Sequence, residues 1–410
     1  MSHDRALVSR RALLALPPAL ALLAALPGTA GATRPGTAGT ALGWGFNGYG
    51  QLGDGTSVNR ATPTATALPA GVTLTALSVG FLHTLAIDSH GTPYSWGYND
   101  AGQLGTGTLT GRLAPGTVPL PAGVTARAVS AGERHSLVAG SDGGVYVFGA
   151  NGAGQLGDGT LAAGRSPKRI ALPGGVAAVD VTAGNSHSAA IGADGVVYTW
   201  GSLRTGVLGR TGDNKVPGPV VHSDGVTPFT ASSLAAGSEH TLAISGGRAY
   251  AWGLNVAGQL GDNTTETRTS PVPVWDLAND IRQVAAGYRH SLAVTTAGAL
   301  YTWGNNFAGQ LGNGYSTQQG PGREMTWHRP GPIWAEDLTA VASVAGGMHH
   351  SAAATVTGKA FSWGRNIYGE AGTGTTSDPH LLPVPVALPI GRKATVVAAC
   401  NDATLAITVP

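Results

Sequence analysis

The chain has 410 residues, of which 42% are hydrophobic and only 11% are charged, with Gly 64 and Pro 25. This length can bury a large core, and the many turn-forming residues favour a packed, loop-rich protein over a disordered one. The formal net charge is +2, but the first 32 residues hold three Arg and one Asp, so the remainder is neutral. A neutral protein has no overall field to gather nucleic acid or anionic lipid, and no stretch after residue 32 has the roughly 18 apolar residues that a membrane span needs.

The first 32 residues predict a signal peptide. They combine a basic start, an apolar run and small residues at Ala30–Ala32, so cleavage is expected near Ala32 and the protein is expected to be secreted. Arg10 and Arg11 resemble the twin-arginine export signal, which carries folded cargo; a general secretory signal that happens to hold two Arg is the alternative. Cys400 is the single cysteine, so the exported protein cannot form an internal disulfide and must be held by its core.

Two sequence elements recur seven times after the leader. The first is an aromatic-Gly pair followed by a turn such as "WGYNDAGQLG", and successive copies are 52, 52, 52, 52, 51 and 60 residues apart. The second has the form "AGxxHSLA", with Ala in place of His in the last copy. The aromatic residues are Trp44, Trp96, Phe148, Trp200, Trp252, Trp303 and Trp363, and the second element carries His83, His135, His187, His240, His290, His350 and Ala403. A fixed period of this length predicts a closed or stacked repeat architecture.

Each unit is predicted to form four short antiparallel strands. Dipeptides such as Asp142-Gly143 mark tight hairpin turns, and Pro in the fourth segment suits an edge strand. The chain begins in mid-unit at "ALGWG" and ends with "ACNDATLAITV", so the two ends complement each other. The sequence therefore predicts an all-β, seven-bladed β-propeller of four-stranded blades over residues 41–410, with residues 33–40 as a linker, closed by an N-terminal strand that joins the C-terminal blade.

The motif pair "WGxNxxGQLG" and "AGxxHSLA" resembles the regulator of chromosome condensation repeat over residues 41–410. We identify the chain as a secreted, bacterial-type member of that family. The resemblance implies the propeller fold but not one function, because propellers with this repeat include a nucleotide exchange factor, a light receptor, enzyme-attached modules and secreted inhibitors of β-lactamase. Export would separate this chain from cytosolic GTPases, which disfavours an exchange factor.

The recurring polar residues are predicted to be structural, so we expect no catalytic residue, metal site or cofactor. Each repeated His is expected to bond loop backbone within its own blade. Asp54, Asp158 and Asp262 recur in "LGD", where a carboxylate caps a turn. Cys400 is expected to be a buried, inert thiol.

Positions that vary within the repeat are the candidate binding residues. Two free positions separate Gly from His in "AGxxHS", and the resemblance implies that these loops often contact a partner. Variable aromatic and charged side chains on a fixed scaffold suit a binding surface, although ordinary solvated loops would look the same. The candidates at these positions are Phe81, Leu82, Glu133, Arg134, Tyr288, Arg289, Met348 and His349.

Two further departures from the repeat stand out. After Trp200, Leu203 and Val207 replace the usual Asn and Gln, so this turn is expected to be looser. The sixth connection is longer and carries Trp327 and Trp334 within residues 318–337, which suggests either an interface anchor or a loop folded over the blade edge.

The functional expectation is a secreted, monomeric, non-catalytic scaffold that binds an extracellular or cell-wall protein, with enzyme inhibition as one specific form. A glycan-binding module is the alternative and would need exposed aromatic platforms in successive blades. An enzyme is less favoured and would need convergent polar side chains in the propeller channel or a rim pocket.

Overall fold

The computed structural model describes residues 37–317, 331–332, 338 and 340–410. They form seven four-stranded antiparallel sheets arranged as the blades of a propeller, which confirms the predicted fold class. The predicted signal peptide lies outside the described residues. Over the part that is described, we find no helix with the length and apolar character required to cross a membrane.

Six blades are each built from one continuous stretch of chain. Blade 1 contains β3 (Leu74–Val79), β4 (His83–Asp88), β5 (Pro93–Gly97) and β6 (Arg112–Thr117). Blade 2 contains β7 (Ala126–Ala131), β8 (His135–Gly140), β9 (Val145–Gly149) and β10 (Gly164–Ile170). Blade 3 contains β11 (Ala178–Ala183), β12 (His187–Gly192), β13 (Val197–Gly201) and β14 (Gly218–Pro219). Blade 4 contains β15 (Ser233–Ala236), β16 (His240–Ser245), β17 (Arg248–Gly253) and β18 (Arg268–Pro273). Blade 5 contains β19 (Ile281–Ala286), β20 (His290–Thr295), β21 (Leu300–Gly304) and β22 (Gly331–Pro332). Blade 6 contains β23 (Val341–Gly346), β24 (His350–Thr355), β25 (Ala360–Gly364) and β26 (His380–Pro385). Short 3-10 turns occur at Pro173–Gly175 and Arg204–Gly206.

Blade 7 combines the two ends of the chain, as the sequence predicts. It contains β27 (Lys393–Cys400), β28 (Ala403–Val409), β1 (Thr40–Gly45) and β2 (Arg60–Ala65), in the order β2-β1-β28-β27. The N-terminal strand pairs with β28 without a bulge from Thr40 opposite Thr408 to Gly45 opposite Ala403. The ring is therefore closed by backbone hydrogen bonds between the first and last strands.

Large aromatic side chains pack in the joints between blades. The six repeat Trp and Phe148 are fully buried, and each hydrophobic cluster is shared by two neighbouring blades. Each Trp also donates its indole N–H to a carbonyl in the turn that follows the third strand of the preceding blade; Trp200 Nε1, for example, lies 2.9 Å from the Gln155 carbonyl oxygen. Burying a large apolar side chain contributes about 1.5–3 kcal/mol, so these joints carry much of the stability.

The repeated His side chains also connect neighbouring blades, which corrects the expectation that they bond loop backbone. His83 Nε2 lies 2.9 Å from Ser136 Oγ in the next blade, and Ser136 Oγ donates to the Gln103 carbonyl oxygen. The Ser hydroxyl hydrogen is thereby used, so the His must carry its own hydrogen on Nε2 and donate it. All six His make such a contact, and burial lowers their pKa to about 3 or 4, which keeps the rings uncharged.

Blade 7 lacks this His contact to blade 1. Ala403 stands opposite Cys400 in its hairpin, where the other blades have His opposite Gly. In those six blades a Cβ on the Gly would lie 2.1–2.6 Å from the His ring, so only Gly fits there. Loss of the ring in blade 7 therefore explains why that blade can hold a cysteine. Cys400 is half-buried at the channel wall, where the sequence predicted a buried thiol, and desolvation raises its pKa to about 12.

Candidate binding face

One end of the propeller carries the loops that contain the "AGxxHS" free positions and the turns that follow the third strands, and we call it the upper face. The inner loops join the first and second strands of a blade and hold the two free positions between Gly and His. The outer turns follow the third strand and contain the "NxxGQLG" sequence. The backbone N–H of Tyr98 in an outer turn donates to the Leu82 carbonyl of an inner loop, which fixes the two loop types side by side.

The first free position of each inner loop surrounds the mouth of the central channel. These residues are Phe81, Glu133, Asn185, Ser238, Tyr288, Met348 and Asn401. Below them the channel is lined mainly by Ala and Gly, and its cavity measures about 40 Å³. That volume holds one or two water molecules, so the channel offers no room for a substrate.

A larger cavity of about 870 Å³ lies to one side of the channel mouth, and we call it the polar groove. It is formed by inner loops and outer turns of blades 2 to 5. The charged and aromatic side chains in its lining are Glu133, Arg134, Arg204, Glu239, Tyr288 and Arg289. The structure thus brings four predicted residues together in one cavity, although two of them belong to blade 2 and two to blade 5.

Acidic and basic side chains both line the groove, and most of them do not form ion pairs with one another. Arg134 forms an ion pair with Asp100 at the edge of the groove. Over the described ranges, no ion pair satisfies Glu133, Glu239, Arg204 or Arg289; Arg289 instead lies over the Tyr288 ring, 5.6 Å from its centroid. Burial raises the pKa of Glu133, with the Arg134 charge opposing that shift. These groups are available to a ligand that also presents both charges.

The other predicted residues do not join the groove. Phe81 and Met348 lie at the channel mouth, while Leu82 and His349 occupy second free positions in blades 1 and 6, and all four are partly exposed. Trp327 and Trp334, together with most of the 318–337 segment, lie outside the described residues.

The outer turn after Trp200 helps to shape the groove. The usual Gln side chain accepts a backbone N–H within its turn, as Gln155 does from Ala153 N at 2.8 Å. Val207 cannot do so, and the turn instead forms the 3-10 segment Arg204–Gly206 with Thr205 at a φ of 58°. A β-branched residue in the left-handed region is strained, and such strain concentrates at functional sites. The turn is thus rebuilt, with Ser202, Arg204 and Val207 on the groove wall.

Four aromatic residues on the other side of the face form a surface that the sequence analysis missed. Phe46, Tyr49, Tyr98 and Tyr368 lie in outer turns of blades 7, 1 and 6, and we call them the aromatic sector. Their signal was present, because the corresponding turn positions vary between units.

A buried acid pair lies beneath this sector. Glu370 occupies the position of the repeat Gln and is fully buried, and burial raises its pKa to about 7 with the nearby Asp402 charge adding to the shift. Its Oε2 accepts the Tyr368 backbone N–H at 2.8 Å, whereas Oε1 has no hydrogen-bond partner among the described residues. Asp402 is also buried, which raises its pKa, and it lies 3.9 Å from Arg365.

The repeated aspartates have the turn-capping role that the sequence predicts. Asp54 Oδ1 accepts from Thr56 N at 2.9 Å, and its Oδ2 pairs with Arg60; Asp158 and Asp262 behave alike. Across the described residues, no three His, Cys, Asp or Glu side chains gather as they would around a metal ion.

Comparison with protein families matches most of the described chain. A profile for the RCC1-like domain matches residues 163–409. A profile for the regulator of chromosome condensation (RCC1) repeat matches residues 38–87 and 90–139, and a second profile of that name matches residues 74–103 and 126–155.

Individual proteins give the same picture. The chain is 33% identical to the ultraviolet-B receptor UVR8 of Arabidopsis thaliana, over 85% of this chain and 78% of the receptor. It is 30% identical to the E3 ubiquitin-protein ligase HERC2 of Homo sapiens, over 90% of this chain but only 8% of that ligase. Solved structures share the fold: Prp20p from Saccharomyces cerevisiae has a TM-score of 0.79 at 23% identity, covering 92% of this chain and 93% of that one. Human WBSCR16 has a TM-score of 0.76 at 24% identity, covering 90% of this chain and 100% of that one.

Proposed function

Because the chain belongs to the regulator of chromosome condensation (RCC1) repeat family, we propose that it is a secreted, non-catalytic scaffold that binds a protein partner through the upper face, with the polar groove as the recognition site. The observation that carries this proposal is the groove itself. Its Glu133, Glu239, Arg204 and Arg289 side chains have no ion-pair partner among the described residues and converge from separate blades. A partner with complementary charges would gain both orientation and specificity from them.

A protein partner suits this groove better than a polyelectrolyte. Unpaired charges of both signs favour a mixed-charge protein loop and disfavour nucleic acid or an anionic membrane, which need a basic surface. Yeast Prp20, which has the same fold, was solved bound to Kap60.

The alternatives have less support. The repeated Trp side chains are fully buried, so the repeat supplies no series of glycan-stacking platforms. The narrow channel gives an enzyme no substrate cavity on the axis. Enzyme inhibition stays a specific form of the proposal: the captured partner would be an enzyme whose activity falls in proportion to the added propeller.

The test combines capture with a double substitution. The mature protein is used to capture partners from culture supernatant and cell-wall extract, and the affinity of each is then measured. Tyr288→Ala with Arg289→Ala should weaken binding more than tenfold, because a truncated aromatic or Arg anchor commonly costs about 2 kcal/mol and about 1.4 kcal/mol is one decade. Thermal unfolding should hardly change, since both side chains lie on a loop surface.

A matched control lies at the opposite end of the propeller. Ile390 and Lys393 are exposed before and at the start of β27, so Ile390→Ala with Lys393→Ala should leave binding intact. Full binding by the Tyr288/Arg289 variant would reject the groove. If Trp327→Ala abolished binding in that case, the site would belong to the 318–337 segment.

A further inference from the structure

The aromatic sector forms a continuous set of side-chain contacts across three blades. Ring centroids are 5.0 Å apart for Phe46 and Tyr368, 6.3 Å for Phe46 and Tyr49, and 4.7 Å for Tyr49 and Tyr98. The ring planes are inclined to one another by 50–69°. The rings therefore form the walls of a shallow cradle and not a flat stacking platform.

Backbone hydrogen bonds hold the residues of the sector in place. Phe46 N donates to the Asp402 carbonyl at 2.7 Å, Tyr98 N to the Leu82 carbonyl at 2.9 Å, and Tyr368 N to Glu370 Oε2 at 2.8 Å. An aromatic side chain on a fixed backbone has only two torsions left to order. It therefore loses little conformational entropy when a ligand covers it.

The sector and the polar groove are joined through a charged bridge. The Tyr98 hydroxyl is hydrogen-bonded to the Asp100 carboxylate, which raises the pKa of Tyr98. Asp100 in turn forms an ion pair with Arg134, which lines the groove. A single ligand that enters the groove can therefore extend onto the sector across this bridge.

The composition of the sector indicates what would cover it. Tyr49 is 44% exposed, and two aliphatic side chains flank the rings: Leu113, 45% exposed, lies against Gly50, and Ile367, 37% exposed, precedes Tyr368. Aliphatic groups give a sugar hydroxyl nothing to bond, whereas they add to the burial of an apolar protein side chain. Clustered Tyr with a neighbouring Arg is also the composition of interface hot spots.

We propose that the aromatic sector is the apolar anchor site for a protein partner, which packs an aliphatic or aromatic side chain against the exposed surface of Tyr49 and the rings beside it while a neighbouring mixed-charge loop enters the polar groove. This inference rests on the proposed function, since it assigns a second contact to the same partner. It places the apolar contact on blades 7, 1 and 6 and the charged contact on blades 2 to 5.

The test uses a phage-displayed library of disulfide-closed random peptides, panned on the immobilised mature protein. Enriched peptides should share an apolar anchor residue. Their affinity should fall at least tenfold for Tyr49→Ala, be retained for Tyr49→Phe, which keeps the ring, and be unchanged for Ile390→Ala with Lys393→Ala at the opposite end of the propeller. Folding of each variant is checked by its melting temperature.

Three results would overturn the inference. The first is enriched peptides that lack an apolar anchor or whose affinity does not depend on Tyr49. The second is Tyr49-dependent binding of soluble cell-wall oligosaccharides, and the third is a dimer, detected by light scattering, that Tyr49→Ala abolishes. Failure here is separable from failure of the groove. Loss of partner binding in the Tyr288/Arg289 variant but not in Tyr49→Ala would support the groove and reject the sector. Tyr49-dependent peptide binding, together with full partner binding by the Tyr288/Arg289 variant, would support the sector and reject the groove.

Discussion

At the scale of single residues, the repeat couples positions that lie far apart in sequence. The His of one blade bonds the Ser or Thr that follows the His of the next blade, and that hydroxyl can bond a turn carbonyl as well. The same ring covers the Gly three residues before it, so that Gly cannot gain a side chain while the ring is present. Blade 7, with Cys400 and Ala403, is the natural example in which both have changed.

We expect His290→Ala to destabilise the protein by about 2–4 kcal/mol, because it removes a buried ring and its 2.8 Å contact with Ser351. Chemical denaturation measures the change in the free energy of unfolding. Partner binding, referred to the folded fraction, should not change. Wild-type stability in this variant would show that the His contacts do not hold the blades together.

Glu370 makes stability depend on pH. Its pKa is near 7 in the folded protein and has an ordinary value of 4.5. Between these values the folded state keeps a proton that the unfolded state has lost, so stability falls as pH rises through this window and stays low above it. The physical cause is a carboxyl group that is neutral when buried and must ionise beside Asp402.

Glu370→Gln restores the amide found in most other units and should remove this penalty. We expect the variant to be more stable than wild type by about 2–3 kcal/mol at pH 8, and equal within about 0.5 kcal/mol at pH 4. Glu266→Gln, at an exposed carboxylate, is the control and should show no such pH dependence. An equal effect of Glu370→Gln at both pH values would contradict ionisation as the cause.

At the scale of strands and turns, the sequence predicts the fold well because local rules repeat seven times. Hairpin dipeptides such as Asp142-Gly143, with Gly143 at a φ of 77°, mark the turns, and alternating side chains set the register. The polar groove could not be derived in this way. It arises where loops of four blades meet, and no local pattern records the distance between Glu133 and Arg289.

The closing strand gives a prediction about an element. Removing residues 33–45 deletes β1, which lies between β28 and β2 and carries the buried Trp44. The open edge and exposed apolar faces should cause aggregation or a large drop in melting temperature. Removing residues 33–38, which precede the strand, is the control and should leave melting unchanged. Wild-type melting of the longer deletion would argue against closure by this strand.

At the scale of the whole molecule, a rigid ring presents variable loops on one face. The core residues repeat and the face residues do not, so the repeat pattern separates scaffold from surface. The inner-loop candidates from the sequence fall into three places. Phe81 and Met348 lie at the channel mouth and Leu82 and His349 in the loops of blades 1 and 6. The remaining four line the groove. The aromatic sector was missed because its residues lie in turns whose remaining positions are strongly repeated.

The export prediction also concerns the molecule as a whole, and it rests on the leader outside the described residues. If Arg10 and Arg11 are read as a twin-arginine signal, replacing both with Lys should stop secretion while folding in the cytosol continues. Immunoblots of culture supernatant and cell extract measure this. Undiminished secretion of the double variant would favour the general secretory route.

Ring closure has a consequence for the order of events during synthesis. β1 is the first strand to emerge from the ribosome and its partner β28 the last, and Thr40 and Thr408 are 368 positions apart in the sequence. Until β28 appears, β1 has no neighbour on that side, and Trp44 lacks part of its packing. Contacts between residues so distant in sequence form slowly, so the nascent chain must keep one edge of this apolar strand unpaired for most of its translation. The last step of folding is then the docking of two chain ends, and chaperone binding should concentrate on the N-terminal strand until that step occurs.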